Sequence, residues 1–241
     1  MLGYPTVSQK IVELCFTFTT HSPKCWNDRH IPMGIGKTTS LTNSYYQLLT
    51  PAMYLFFDTE TTGLPKNWKA PVSDLPNWPR LVQLAYLLYD NQGNKISGGD
   101  FIIQPDGFSI PTEASAIHGI TNEKAIREGA DLKAVLDDFQ TLIDQAQQLV
   151  AHNMSFDEKI MGAEFLRNRL PNSVALKPKI CTMQRSTNFC AIDGPYGYKW
   201  PKLSELHYKL FKTGFEEAHN AAVDIHATAN CFWELKRLGE I

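Results

Sequence analysis

The sequence predicts an α/β fold in which helices cover a mixed β-sheet. Three apolar, strand-forming runs follow one another after residue 53, and beyond residue 131 a short strand alternates with amphipathic helices. Strands that come first, followed by strand alternating with helix, are typical of a mixed sheet flanked by helices. With 241 residues, 43% of them hydrophobic, the chain can hold one large domain or two small ones.

The strands are recognised as short runs of aliphatic, β-branched and aromatic residues. The turn N-Q-G-N at 91–94 joins the second strand to the third as a hairpin. The predicted strands are 54–57, 81–89, 101–103 and 148–152.

The helices are recognised by apolar residues at the i, i+3, i+4, i+7 spacing of one buried face. This spacing is clearest from Leu132 to Gln148, and Pro171 ends the helix that follows. The predicted helices are 132–148, 157–169 and 220–238.

The first 52 residues show neither period, so we predict an N-terminal extension (1–52) without a domain of its own, followed by one domain (53–241). Because the regular pattern begins at Met53, we take this residue as the hypothetical physiological start. In the extension, I-G-K-T-T (35–39) resembles the end of a phosphate-binding P-loop, but Ile31 stands where that motif requires glycine. A nucleotide-binding regulatory protein is therefore a disfavoured alternative.

Composition limits the possible partners. A net charge of −2 provides no global basic field, so a polyanion such as nucleic acid must be held locally. The five cysteines form no C-x-x-C pair, which predicts free thiols in a reducing cytosol. No stretch approaches the roughly 18 apolar residues of a membrane span, so we predict a cytoplasmic protein without membrane association.

The first predicted strand ends in two carboxylates, Asp58 and Glu60, within M-Y-L-F-F-D-T-E-T-T-G-L (53–64). Because strand side chains alternate, both carboxylates point to the same face and could hold a cation together. Burying them unpaired would cost several kcal/mol for each charge, and a metal ion is the natural counter-charge. A solvated strand end or a helix N-cap is the alternative explanation of the pair taken alone.

Two more polar clusters lie at predicted helix starts. N-M-S-F-D (153–157) follows a strand, and H-N-A-A-V-D (219–224) precedes the last helix. On an ideal helix His219 and Asp224 would lie about 140° apart. They can act together only if His219 precedes the helix, with Asn220 as a possible N-cap. Taken separately, such a histidine or aspartate is more often structural.

Together, F-F-D-T-E-T-T-G-L, N-x-x-F-D and H-x-x-x-x-D resemble, in this order, the three exonuclease motifs of the DEDDh (DnaQ-like) family, to which the proofreading subunit of bacterial DNA polymerase III belongs. The resemblance runs from about Met53 to the C-terminus and includes A-I-H-G-I-T (116–121). It implies a ribonuclease H-like fold, with a five-stranded mixed sheet flanked by helices. It also implies 3′-to-5′ exonuclease activity on nucleic acid.

The resemblance further implies a metal-dependent active site. The implied metal ligands are Asp58, Glu60, Asp157 and Asp224, and the implied general base is His219. Carboxylate oxygens suit two Mg²⁺ or Mn²⁺ ions, which clamp the attacking and leaving oxygens of a phosphodiester. With a reference pKa of about 6.5, His219 would accept the proton of the attacking water near neutral pH.

A pocket for the terminal nucleotide is also implied. Its residues by resemblance are Thr59, Thr61, Leu64 and His118. Leu64 would wedge against a base, and backbone amides near Thr59 and Glu60 would meet the 3′-hydroxyl. Asn153 would orient the strand end, and Phe156 would either stack on a base or pack in the core. For His118 the alternative is a capping or core histidine.

Residues 65–80 depart from a minimal family member by an insertion directly after the first motif. It contains Trp68, Trp78, Lys66, Lys69 and Arg80, and K-W-P-K (199–202) has a similar composition. Aromatic residues interleaved with cations suit single-stranded nucleic acid, at about 1–3 kcal/mol for each stacked base. The alternative is that the tryptophans pin the loop to its own domain.

The predicted function is hydrolysis of DNA from single-stranded or frayed 3′ ends, with release of nucleoside monophosphates, in proofreading, repair or processing. One alternative is a 3′-to-5′ exoribonuclease for RNA trimming or short-oligonucleotide turnover, because DNA and RNA offer the same phosphodiester. The other is a non-catalytic nucleic-acid-binding relative, which the presence of all four carboxylates and the histidine disfavours. A polymerase partner is possible, but no polymerase-binding tail follows the last predicted helix, which favours a free-standing enzyme. The oligomeric state cannot be read from the sequence.

Overall fold

The computed structural model describes residues 53–215 and 220–241. The predicted N-terminal extension with its I-G-K-T-T stretch, and the predicted general base His219, lie outside the described residues. Within the two described ranges, no helix combines the length and apolar character needed to cross a membrane.

The described residues contain a five-stranded sheet and a separate two-stranded hairpin. The strands are β1 (Met53–Thr61), β2 (Leu81–Asp90), β3 (Lys95–Ile102), β4 (Gln148–Ala151), β5 (Lys179–Cys181), β6 (Asp193–Gly194) and β7 (Gly197–Tyr198). The sheet order is β3-β2-β1-β4-β5, with β1 antiparallel to β2 and parallel to β4. The prediction of a five-stranded mixed sheet is confirmed.

The helices flank this sheet, and their positions correct several predicted boundaries. They are α1 (Thr112–His118), α2 (Asn122–Glu128), α3 (Leu132–Gln145), α4 (Met154–Arg167), α5 (Thr182–Arg185), α6 (Thr187–Cys190), α7 (Leu203–Phe211) and α8 (Ala221–Leu238). Helix α4 begins three residues before the predicted start, because Asn153 adopts a left-handed backbone conformation (φ 72°) that turns the chain directly from β4 into the helix. The short helices α1 and α2 were not predicted, since seven residues span only about two turns of the apolar period.

Alternate residues of β1 pack on opposite faces of the sheet. Leu55 and Phe57 belong to the core under α3 and α4, whereas Phe56 packs with residues of α8. Burial on both faces explains why the start of β1 is continuously apolar. The same alternation directs Asp58 and Glu60 toward the α8 side of the sheet.

Strand β3 begins at Lys95, six residues before the predicted start at 101. This part of the strand was not predicted, because Gly98 and Gly99 have low strand propensity. At Gly99 an added Cβ would lie 2.5 Å from Cε1 of the Tyr86 ring on β2. Close packing of β2 against this edge strand therefore requires glycine where a sequence pattern expects a β-branched residue.

The helices α7 and α8 share a small core of their own. Cys190, Leu206, Cys231 and Leu235 form a buried cluster there. In the described ranges the cysteines, Cys181 among them, are free and buried, in agreement with the predicted unpaired thiols.

Candidate active site

Three carboxylates converge at the end of β1, on the sheet face covered by α8. Asp58 and Glu60 belong to β1, and Asp224 lies in the first turn of α8. One carboxylate oxygen from each residue lies within 4.8 Å of the other two. The structure thus brings together three of the four metal ligands implied by the sequence.

The N-terminus of α8 positions Asp224. Asn220 is the N-cap as predicted, because its Oδ1 accepts a hydrogen bond from the Ala222 N–H at 2.9 Å. The Asp224 N–H donates to the Asn220 carbonyl at 3.0 Å, as expected in a first helical turn. His219 directly precedes this cap but lies outside the described residues, so its role as general base stays a prediction.

Gln83 ties α8 to the sheet. This buried residue of β2 lies opposite Glu60 in the β1–β2 pairing. Its Oε1 accepts a hydrogen bond from the Ala221 N–H at 3.3 Å, and its Nε2 donates to Asp100 Oδ1 at 2.6 Å. The start of the helix that carries Asp224 is therefore fixed to the strand beside Glu60.

The fourth predicted ligand, Asp157, lies in the first turn of α4 and is buried. Its Oδ1 accepts two hydrogen bonds from Thr59, one from the backbone N–H at 3.1 Å and one from Oγ1 at 2.7 Å. Thr59 lies between the two carboxylates of β1 and therefore couples α4 to the cluster. Its amide binds Asp157 here, so the predicted contact of this amide with a 3′-hydroxyl stays a prediction.

Burial and mutual repulsion disfavour the charged forms of these carboxylates. Burial, followed by repulsion from Asp157, raises the pKa of Asp58 well above its usual range. Burial, followed by repulsion from Asp224, raises the pKa of Glu60 to about 8. Burial also raises the pKa of Asp157 to about 7, although the hydrogen bonds from Thr59 oppose this rise. Without a counter-ion, burial and repulsion therefore favour protonation of these three carboxyl groups.

These residues fit a divalent cation. Carboxylates are hard oxygen donors of the kind that Mg²⁺ and Mn²⁺ prefer. In the described part of the chain, Asp58, Glu60 and Asp224 form the acidic group whose ligand atoms lie close enough together to share an ion. A bound cation would offset the repulsion that raises their pKa values.

The other predicted pocket residues lie on the loop after β1 and at the end of α1. Thr61 Oγ1 donates to the Gly63 carbonyl at 2.7 Å and shapes the turn, after which Leu64 is 73% exposed. His118 is buried, and its Nδ1 accepts a hydrogen bond from the Ile120 N–H at 3.1 Å. Burial lowers the pKa of His118, and an interaction with the Thr61 backbone opposes this shift. Contacts of Leu64 and His118 with a nucleotide stay predictions.

Asn153 and Phe156 form the junction between β4 and α4. The left-handed conformation of Asn153 is one that asparagine tolerates better than most residues, and its carbonyl accepts the Phe156 N–H at 2.8 Å. The Phe156 ring is half-buried against the main core, and its centroid lies 5.7 Å from that of Trp68. Phe156 therefore packs, as one of the two alternatives predicted, and base stacking on this ring stays a prediction.

The two tryptophans of the insertion have different environments. Trp78 is only 3% exposed, and its Nε1 donates to the Pro71 carbonyl at 3.0 Å. Base stacking is therefore wrong for Trp78, which pins the loop to its own domain. Trp68 is 48% exposed and remains accessible to a base. Arg167 of α4 holds the same loop by donating to the carbonyl of Leu75 at 2.7 Å.

Glu164 anchors the end of the insertion from within α4. Its fully buried Oε1 accepts hydrogen bonds from Arg80 Nε at 2.9 Å, the Leu81 N–H at 3.0 Å and an Arg167 Nη at 2.9 Å. Its Oε2 has no partner among the described residues. Arg80, which the sequence offered as a cation for nucleic acid, is thus engaged in a structural ion pair.

Sequence reasoning missed three polar residues that support the site, namely buried Gln83 and Glu164 and half-buried His152. The His152 ring nitrogens bond to Thr182 Oγ1 at 3.0 Å and to the Pro201 carbonyl at 3.1 Å, and burial lowers the pKa of His152 to about 4. The available signal was a polar residue inside an apolar run, as in L-V-Q-L-A-Y and M-G-A-E-F-L. Such residues are rarely buried without a partner.

Comparison with known families gives a match over most of the chain. The profile of a family described as exonuclease (RNase_T) matches residues 55–232. This range contains all four candidate metal ligands as well as His219.

Curated relatives with similar sequences include bacterial proteins named DNA polymerase III PolC-type. The DNA polymerase III PolC-type of Streptococcus sanguinis is 33% identical over 180 residues, which are 75% of this chain and 11% of that protein. The DNA polymerase III PolC-type of Lactococcus lactis is 31% identical over 175 residues, or 73% of this chain and 9% of that protein. The chain thus spans about a tenth of the length of these relatives.

Solved structures with similar folds include exonucleases. The zinc-bound Escherichia coli ExoI–ssDNA complex superimposes with a TM-score of 0.60 at 23% identity, over 78% of this chain and 41% of that one. E. coli Exonuclease I in complex with a dA16 oligonucleotide gives a TM-score of 0.59 at 21% identity, over 77% of this chain and 41% of that one. These likenesses confirm the predicted ribonuclease H-like fold.

Proposed function

The chain belongs to the RNase_T exonuclease family, and from this premise we propose that it is a metal-dependent 3′-to-5′ exonuclease that releases nucleoside monophosphates from single-stranded or frayed DNA ends. The observation that carries the proposal is the convergence of Asp58, Glu60 and Asp224 at the end of β1, with ligand oxygens within 4.8 Å of one another. Buried Asp157 adjoins them through Thr59. A structural role alone does not account for so many acidic groups with raised pKa values at one strand end.

The four carboxylates would hold two divalent cations, Mg²⁺ or Mn²⁺. Asp58, Glu60 and Asp224 offer the close set of oxygens, and Asp157 is held in place by its hydrogen bonds from Thr59. When bound, the cations would supply Lewis-acid stabilisation of the charge that develops on the phosphodiester oxygens. The protein itself supplies a fixed acidic site that attracts these ions and, through them, a polyanionic strand.

His219 is the proposed general base. It would accept a proton from the attacking water while a bond forms between the water oxygen and phosphorus. The bond from phosphorus to the 3′-oxygen of the preceding nucleotide breaks, and that oxygen leaves with a proton from solvent. The products are a nucleoside 5′-monophosphate and a strand shortened by one nucleotide with a free 3′-hydroxyl.

Single-stranded DNA is the substrate that the similarities favour. The E. coli structures with similar folds are described as complexes with ssDNA and with a dA16 oligonucleotide, and the PolC-type relatives are DNA polymerases. In this chain, exposed Leu64 directly after the first motif offers an apolar surface for an unpaired terminal base. An open 3′ end would reach this surface more easily than a paired one.

A cleavage time course tests the proposal. The substrates are 5′-labelled single-stranded DNA, RNA of matched sequence and a duplex with a mismatched 3′ end, each with Mg²⁺, Mn²⁺ or EDTA. We expect a ladder that shortens from the 3′ end with either metal, fastest on single-stranded DNA, and no cleavage in EDTA. Faster cleavage of RNA would replace the DNA assignment by an exoribonuclease.

Two aspartate variants test whether cleavage depends on the carboxylate cluster in particular. Asp58→Asn removes one charge of the cluster and should abolish cleavage without unfolding the protein. Asp137→Asn is the matched control, because Asp137 is exposed on α3. If Asp58→Asn cleaves at the wild-type rate, the proposed site is wrong. If the wild-type protein binds oligonucleotides but cleaves none of them in any metal, the chain is a non-catalytic nucleic-acid-binding relative.

A further inference from the structure

We propose that the hairpin at 193–200, here called the aromatic hairpin, binds the single-stranded part of the substrate beyond its terminal nucleotide. Unpaired bases on the 5′ side of the reacting end would stack on its exposed rings. This inference rests on the proposed function, because a strand held for hydrolysis at its 3′ end must continue past the active site.

Three aromatic side chains of the hairpin are exposed. Tyr196 at its tip is fully exposed, Tyr198 is 52% exposed and Trp200 is 61% exposed. In the described part of the chain, no other aromatic ring stacks on any of them. Tyr198 ends β7, and Trp200 follows it by two residues. Large apolar side chains exposed together indicate an interaction surface.

The base of the hairpin is firmly attached to the domain. The strands β6 and β7 pair through Asp193 and Tyr198, and the Lys199 N–H donates to the Ile192 carbonyl at 2.9 Å. Ile192 packs against the core shared by α7 and α8. Lys199 Nζ also forms an ion pair with Glu205 Oε1 at 2.6 Å. The rings are therefore presented by a fixed support, which lowers the entropy lost when a ligand binds.

The aromatic hairpin joins the domain beside the carboxylate cluster. In the parallel pairing of β1 with β4, Phe56, two residues before Asp58, lies opposite Val150, two residues before His152, and β4 ends at Ala151. The His152 ring binds the Pro201 carbonyl at 3.1 Å, directly after Trp200 in the chain. Because adjacent strands are about 4.8 Å apart, the base of the hairpin lies near the site where the 3′ end would be held.

The chemistry of the hairpin favours nucleic acid over a protein partner. Tyrosine and tryptophan rings stack on any base, which suits an enzyme that must accept every sequence. Lys199 is paired with Glu205, but exposed Lys202 follows Trp200 by two residues, so a cation is available for a phosphate of the same strand. The hairpin is also continuous with the proposed active site through Pro201 and His152.

Oligonucleotide binding and cleavage by ring variants test this proposal. Full-length Asp58→Asn protein, with and without Tyr198→Ala or Trp200→Ala, is titrated with labelled oligo-dT of about 15 nucleotides and followed by fluorescence anisotropy. We expect the dissociation constant to rise about fivefold or more for each ring removed. In otherwise wild-type protein, the same changes should raise KM, with kcat much less affected, and the effect should grow with oligonucleotide length.

Conservative and distant substitutions act as controls. Trp200→Phe should retain most of the binding, whereas Trp200→Leu should not, because only an aromatic ring offers a face for stacking. Ile96→Ala removes an exposed apolar residue from β3, at the opposite edge of the sheet, and should leave binding unchanged. Equal affinity for Trp200→Leu and Trp200→Phe would mean that stacking is not involved.

Failure of this proposal can be distinguished from failure of the proposed function. If wild-type protein cleaves DNA but the ring variants bind and cleave all lengths as it does, the hairpin proposal is wrong and the rings serve a protein partner or a second copy of the chain. If nothing is cleaved but the ring variants still bind more weakly, the exonuclease proposal fails and the hairpin proposal stands. If no oligonucleotide binds at all, both are wrong.

Discussion

Neutralising Glu60 should stabilise the metal-free protein at alkaline pH. Burial, followed by repulsion from Asp224, raises the pKa of Glu60 from its ordinary value of 4.5 to about 8. In the unfolded chain the same carboxylate ionises near its ordinary pKa. Between about pH 5 and pH 8 the folded state therefore binds more protons than the unfolded state, and the free energy of unfolding falls as the pH rises.

The magnitude follows from this difference in pKa. At about 1.4 kcal/mol for each pH unit, the rise from 4.5 to about 8 corresponds to an upper limit of about 5 kcal/mol. The Glu60 side chain is only half-buried, so solvent screening reduces the expected effect to about 2–3 kcal/mol. The variant Glu60→Gln keeps the side-chain size but does not titrate. Its free energy of unfolding should exceed that of the wild type by about 2–3 kcal/mol at pH 8.5 and by less than about 1 kcal/mol at pH 5.

Urea unfolding in EDTA, followed by circular dichroism, measures this difference. The difference between the two proteins is used because His118 and His152, whose pKa values are lowered, contribute to the pH dependence of both proteins with the opposite sign. Glu240→Gln, which changes an exposed carboxylate after α8, is the control and should show no such effect. If the difference in free energy of unfolding between Glu60→Gln and the wild type is the same at pH 5 and pH 8.5, the reasoning is refuted.

Added Mg²⁺ should make the wild type more stable than Glu60→Gln, the reverse of the order expected in EDTA. A ligand that binds only the folded state raises the free energy of unfolding by RT ln(1 + [L]/Kd). We expect added Mg²⁺ to stabilise the wild type more than Glu60→Gln, because the variant lacks one of the converging carboxylates. Equal stabilisation of both proteins would show that Glu60 does not contribute to cation binding.

Three other side chains give separate tests. Thr59→Val removes the Oγ1 hydrogen bond that holds Asp157. It should lower kcat about tenfold, while the free energy of unfolding falls by only about 1 kcal/mol. Thr59→Ser should restore kcat, and a normal kcat for Thr59→Val would contradict the positioning role of Thr59. Gln83→Leu leaves the Ala221 N–H without its acceptor, so we expect the free energy of unfolding to fall by about 1–3 kcal/mol. Calorimetry should also show weaker Mg²⁺ binding, and an unchanged Mg²⁺ affinity would exclude a link between Gln83 and the site. Glu164→Gln leaves two arginines without their buried counter-charge. Urea unfolding should show a free energy of unfolding lower by about 3–5 kcal/mol. A loss below about 1 kcal/mol would show that water solvates the two arginines well enough to replace the carboxylate.

Several features of this protein were determined by the sequence alone because they depend on near neighbours. The apolar run of β1, the apolar period of α3 and the N-cap at Asn220 were predicted correctly, since strand propensity, helical spacing and capping act over a few residues. The three ordered motifs also identified the exonuclease family, which the family profile confirms. The start of β3 and the short helices were not predicted, because glycines at a close strand contact and two-turn helices leave no clear period.

Only the tertiary structure decided which polar groups meet. The hydrogen bonds from Thr59 to Asp157 join residues 98 positions apart, and the contact of Gln83 with Ala221 spans 138 positions. It also separated Trp78, which pins its loop, from Trp200, which is exposed on the hairpin. The physical reason is that burial and long-range pairing depend on how whole elements pack against one another, and a local pattern of residue types contains no information about those distances.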